Sequence, residues 1–186
     1  RMVVGAHPEG GGADVEALAA LLRGAGFDVG VSTHIGEDRW LKLCVNLLSA
    51  PNALVRQGEH ASAAFVAGKV RLLEEARAVL RAAGIAARSC DGRDRSLGDA
   101  EQTTDYDAIA RGDAARTLPL YNSVWRALRE GLPLEADAWH ERIAALGARH
   151  GVPAPGNARV LAALRRAAAE RRGPESCGAE ELLGRP

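Results

Sequence analysis

Lys42 and Asn46 stand four residues apart in the segment Arg39-Trp40-Leu41-Lys42-Leu43-Cys44-Val45-Asn46-Leu47-Leu48. In a helix that spacing puts both side chains on one face. Around them Trp40, Leu41, Leu43, Cys44, Leu47 and Leu48 recur at helical spacing and make a wide apolar stripe. An ammonium and an amide set beside such a stripe are equipped for carbonyl chemistry. The lysine can give a proton to a developing alkoxide, and the amide can orient a carbonyl or hydroxyl. Partial burial of the lysine would ease proton release, because desolvation disfavours its charged form. Read from this helix alone, the pair also fits a plainer assignment: a snorkelling lysine and a surface asparagine.

The elements that would carry this pair can be read outward from it. Met2 to Gly5 reads as a short strand, Asp14 to Arg23 as a helix with Val15, Leu18, Ala19, Leu21 and Leu22 on its apolar side, and Phe27 to Ser32 as a second strand. Gly24 and Gly26 stop the helix. A strand–helix–strand unit of this size resembles the tail of an α/β domain. Gly10-Gly11-Gly12 lies between the first strand and the helix, but its spacing is not G-x-G-x-x-G. No acidic residue ends the following strand where a ribose would be held, so the glycines read as a surface loop.

From Gly36 onward the pattern is helical. Asp38 is placed to cap the Trp40 helix, and Pro51 interrupts it. Ala61 to Ala83 is the longest periodic stretch, and Gly84 is its stop. Ser89 to Asp113 is polar and reads as a long loop. Leu120 to Glu130, Leu134 to Arg149 and Ala158 to Arg171 read as three further helices, and the residues from Gly173 as a flexible tail. The expected division is 1–34 for the α/β unit, 35–172 for a helical domain and 173–186 for the tail.

Composition narrows the function classes. The 186 residues are 47% hydrophobic, enough for a proper core. The formal net charge is zero, which gives no electrostatic reason to expect nucleic acid or an anionic membrane as partner. Cys44, Cys90 and Cys177 show no C-x-x-C spacing, so no metal is expected, and an odd number with no framework suits a reducing cytoplasm. No apolar run approaches membrane-spanning length. The chain opens on Arg1 rather than Met and reads as a cut chain.

The motif W-x-K-L-x-x-N at Trp40 to Asn46 resembles the first helix in the C-terminal domain of the ketopantoate reductase (2-dehydropantoate 2-reductase) family. Ser123 followed by Glu135-Ala136-Asp137 looks like the family's Ser and Glu-x-Asp at the same separation. His150-Gly151-Val152-Pro153-Ala154-Pro155-Gly156-Asn157 is similar to the family's close. Glu75 matches an acidic position in a family helix. The resemblance implies a mainly α fold: a C-terminal helical domain like that of 6-phosphogluconate dehydrogenase, preceded by a small α/β remnant of a Rossmann domain. It implies an NADPH-dependent reductase of a 2-oxo acid such as 2-dehydropantoate, with NADPH bound mainly by an upstream domain. Lys42 would be the general acid. Asn46 and Ser123 would hold the substrate, and Glu135 would sit near both cofactor and active site. Asn52 is either the family's second asparagine, displaced by a small insertion, or a cap after Pro51.

The chain departs from the family pattern at Ala127, where an aspartate is usual, and at Glu141, where a small residue is usual. Two alternatives therefore stand beside the main reading: a related 2-hydroxyacid dehydrogenase with another substrate, and a helical dimerisation module without catalysis. The expected partner is a small 2-oxo acid, with a homodimer left open.

Overall fold

The computed structural model describes residues 2–8, 10–93, 96 and 122–185. Two short strands, β1 (Met2–Val4) and β2 (Val29–Val31), flank helix α1 (Ala13–Gly24). The strands pair in parallel, with Val3 opposite Gly30. Helices follow: α2 (Ile35–Leu47), α3 (Ser49–Leu54), a 3₁₀ turn (Gln57–Glu59), α4 (Ala63–Ala82), α5 (Ser123–Glu130), α6 (Glu135–His150), α7 (Pro155–Ala169) and α8 (Ala179–Leu183). The chain is mainly helical with a small α/β unit in front, as expected from its sequence. Most of the polar stretch expected as a loop over 89–113 lies outside the described residues, as do Leu120 and Tyr121.

Local chemistry sets the helix ends. Ser62 accepts from the Phe65 N–H and starts α4; Asn122 accepts from the Trp125 N–H and starts α5. Gly131 and Gly151 take left-handed backbone just past α5 and α6, where a side chain would be strained. Pro51 sits in the first turn of α3, where its missing N–H costs no hydrogen bond. It separates α2 from a new helix rather than ending the helical run.

The start of α2 differs from the expectation. The helix begins at Ile35, so Asp38 lies inside its first turn rather than at its cap. The Asp38 carboxylate instead accepts from the buried Ser32 hydroxyl at 2.5 Å and from the Cys90 N–H at 3.2 Å. Gly5 lets α2 come this near the end of β1, because a Cβ there would lie 2.9 Å from Ile35 Cβ.

Two apolar clusters hold the helical body together. One gathers α3, α4, α7 and α8 around Phe65, Leu72, Val160 and Leu164; the other joins α2, α4 and α6 around Leu47, Leu73, Val79 and Ile143. Burying each of the larger aliphatic side chains contributes about 1.5–3 kcal/mol. Trp139 packs against both clusters, and Trp40 against the second.

Two expectations are corrected. Residues after Gly173 do not form a loose tail. Residues 175–177 run beside 53–56, with the Cys177 N–H donating to Leu54 at 2.9 Å, and α8 buries Leu182 and Leu183. The apolar spacing of those residues finds a groove on α4, where Gly68 leaves room for Leu183. Leu18 and Leu21, read as part of the apolar side of α1, are 47% and 72% exposed, and Phe27 is 53% exposed. A two-stranded sheet with one helix has too little surface to cover them.

Candidate active site

Helix α2 presents Lys42 and Asn46 to one cleft of roughly 760 Å³. Arg39, one turn before Lys42, shares its wall. Trp139 of α6 and Val3 of β1 also line it, and Ser89, Asp91 and Arg93 form part of its rim. That rim is tied to the first turns of α2 by the Cys90–Asp38 bond and by Arg88, which donates to Glu37 at 2.5 Å. The Arg88 hydrogen bond holds the Glu37 carboxyl below its ordinary range against the opposing effect of burial. Asn46 is half-buried, while Lys42 is exposed, so the partial burial expected for this lysine is not found in the described chain.

Ser123 and Glu135 meet each other, but not in this cleft. Both are exposed and line a smaller depression of roughly 250 Å³ with Arg126, Ala127 and Pro133. The one-cleft arrangement implied by the resemblance is therefore split. Glu135 is the first residue of α6, one turn before Trp139, so the two depressions border the same helix. Asn52 lines neither. It lies in α3, and its Oδ1 accepts from the Lys69 ammonium at 2.9 Å.

A family model described as the C-terminal domain of ketopantoate reductase PanE/ApbA matches residues 34–168, which takes in α2 through nearly all of α7 and every residue just placed except Val3. The chain belongs to this family. A crystal structure of a PanE/ApbA family ketopantoate reductase from Ralstonia eutropha JMP134 shares its fold at a TM-score of 0.61 and 21% identity. The match covers 89% of this chain and 54% of that one, so the chain spans about half the length of that reductase. No curated protein matches.

Within the ketopantoate reductase domain, three buried polar groups escaped the reading of the sequence. Lys69 is 1% exposed, with its ammonium 5.0 Å from the centre of the Phe65 ring. Burial pushes it down to about 8. Its signal was a lysine in register with Phe65, Leu72 and Ala76 on the buried stripe of α4. His140 and Asn157 are each fully buried. Asn157 Nδ2 donates to Leu72 O at 3.2 Å and to Glu75 Oε2 at 2.8 Å, which leaves its Oδ1 to accept from His140 Nδ1 at 2.9 Å. His140 therefore carries its proton on Nδ1. Its Nε2 faces the Leu47 carbonyl without closing a hydrogen bond. Burial pushes His140 down to about 4, so it is neutral near pH 7. Asn157 stood in the family-like close, but nothing local marked its partner.

The described residues do not fit a whole dinucleotide. The loop between β1 and α1 lacks the phosphate-cradling spacing, and the first turn of α1 carries Asp14 and Glu16, whose charges disfavour a phosphate there. Among the described residues no group of three or more His, Cys, Asp or Glu could hold a metal ion, and no helix is long and apolar enough to cross a membrane.

Proposed function

We propose that the chain is the substrate domain of an NADPH-dependent reductase that converts a 2-oxo acid, such as ketopantoate, to the 2-hydroxy acid. The observation that carries this reading is the placement of Lys42 and Asn46 on adjoining turns of α2 at the wall of one cleft. Among the described residues no carboxylate lies within ion-pair distance of Lys42, so its ammonium is open to an incoming group.

The reading assigns the hydride to a nicotinamide held by residues other than those described. The work of this chain is at the carbonyl oxygen. A bound nicotinamide would supply hydride to the carbonyl carbon; the C=O π pair would then move onto oxygen, and Lys42 Nζ would give its proton to that oxygen. The amine left behind is exposed and regains its proton from water. Asn46 Nδ2 orients the oxygen by a hydrogen bond. Ser123 and Glu135 would reach the substrate only if it extended along α6 from one depression to the other.

The direct test mixes the full-length protein with NADPH and a panel of 2-oxo acids that includes ketopantoate, and follows NADPH oxidation. Saturable oxidation with formation of the matching 2-hydroxy acid is expected. A protein that oxidises NADPH with none of the panel contradicts the reading.

A further inference from the structure

We propose that Arg39 is the residue that binds the substrate's carboxylate and sets the cleft's preference for acids over uncharged carbonyl compounds. The inference rests on the reductase reading and deepens it.

A 2-oxo acid carries its carboxylate on the carbon next to the carbonyl. Whatever holds that carboxylate must therefore sit within one side chain's reach of the proton donor. Ser123, which the family resemblance assigns to substrate binding, lies in the other depression. Arg39 stands three residues before Lys42 on the same helix and lines the same cleft. Side chains at that spacing start about 5–6 Å apart, so a guanidinium and an ammonium there can converge on adjacent oxygens of one small molecule. The planar guanidinium also matches a carboxylate with two parallel hydrogen bonds, which an ammonium cannot do.

The charges around the cleft leave Arg39 available. Asp38, its neighbour in sequence, already accepts from Ser32 and from Cys90. Asp91, which lines the same cleft, lies 3.6 Å from Arg93, which also reaches Asp28 at 3.5 Å. Both cleft carboxylates thus have partners other than Arg39 and Lys42. Among the described residues no acidic group pairs with Arg39 or with Lys42. Two adjacent cations, neither paired with an acidic group among the described residues, make the α2 wall attractive to an anion. The remaining walls, Trp139 and Val3, are apolar and suit a short hydrocarbon chain.

The test uses the full-length protein, NADPH and a matched pair of substrates: 3-methyl-2-oxobutanoate and its primary amide. The two differ in charge at one group only. Wild type should prefer the acid, and Arg39→Ala should lower the acid-to-amide ratio of kcat/KM by about 10–100-fold, the usual worth of a hydrogen-bonded charge contact. Arg39→Lys should fall between, with charge restored and the fork lost. Arg39 is exposed, so the substitution should leave the fold intact. An Arg39→Ala protein that keeps the wild-type ratio overturns the assignment. So does a wild type that reduces acid and amide equally well, although the reductase reading then stands. A wild type that reduces neither compound, nor any other 2-oxo acid, overturns both.

Discussion

Glu75 on α4 and Asn157 on α7 are joined twice: the Glu75 carboxylate accepts from the Asn157 N–H at 3.0 Å and from its Nδ2 at 2.8 Å. It also accepts from the Gly156 N–H at 2.8 Å. A carboxylate from one helix thus caps the first turn of another, where backbone N–H groups have no partner within the helix. Gly156 allows the approach, since a Cβ there would lie 3.0 Å from the carboxylate. Glu75→Ala should therefore destabilise the domain by about 2–4 kcal/mol, the sum of a lost cap and the unpaired donors left behind. Urea unfolding measures this directly, and a change under half a kcal/mol would show that the cap contributes little.

The same network makes His140 a source of pH dependence. Its folded value of about 4 lies below the ordinary 6.5, so between these limits the unfolded chain binds more protons than the folded one. Stability from this residue is fully present above pH 6.5 and falls as pH drops toward 4, by roughly 3 kcal/mol in all. Burial also lowers His60, which adds a slope of the same sign, so the comparison must be between wild type and His140→Gln. The variant should show a shallower loss of stability from pH 6.5 to 4. Parallel pH profiles would mean that His140 titrates normally in the fold.

Lys69 predicts the opposite end of the pH range. Its folded value of about 8 is below the ordinary 10.5, so from pH 8 upward the unfolded state binds the extra proton and stability rises with pH. Cys44 works against this. Burial pushes its thiol up to about 12 from 9.0, so stability from that residue falls across the interval between. Wild type minus Lys69→Met isolates the lysine: its advantage should grow as pH rises from 8 to 10.5. A flat difference would show that the Asn52 hydrogen bond and the Phe65 ring keep the ammonium charged at its ordinary value.

How legible these features were in the sequence depended on how local their causes are. The helices carried their own signals in apolar spacing, glycine stops and proline, so most were found within a few residues. Lys42 and Asn46 were legible as a pair because one helix holds both. Ser123 and Glu135 were legible as residues but not as members of the Lys42 cleft, since the packing of α5 and α6 decides which depression they line. Glu75 was visible as an acidic position, but its work as a cap depends on a helix about eighty residues away. The docked C-terminal segment was missed because a five-residue helix has almost no periodicity. What holds it is a groove made by Gly68 on α4.

That groove supplies a fourth prediction. A Cβ at Gly68 would collide with the Leu183 side chain. Gly68→Ala should push α8 off the body at a cost of about 1–3 kcal/mol. Limited proteolysis should then cut between 173 and 185 faster than in wild type. Equal cleavage rates would mean that the segment is not held there. Arg71, which donates to the Leu183 carbonyl at 2.9 Å, gives a second handle on the same contact.

The most direct test of the proposed chemistry is kcat for reduction of a 2-oxo acid by the full-length protein carrying Lys42→Ala. If Lys42 gives the proton, kcat should fall by roughly 10²–10⁴-fold with the fold unchanged by circular dichroism. A purified, folded Lys42→Ala protein that turns over at the wild-type rate would make Lys42 a snorkelling surface lysine and contradict the mechanism.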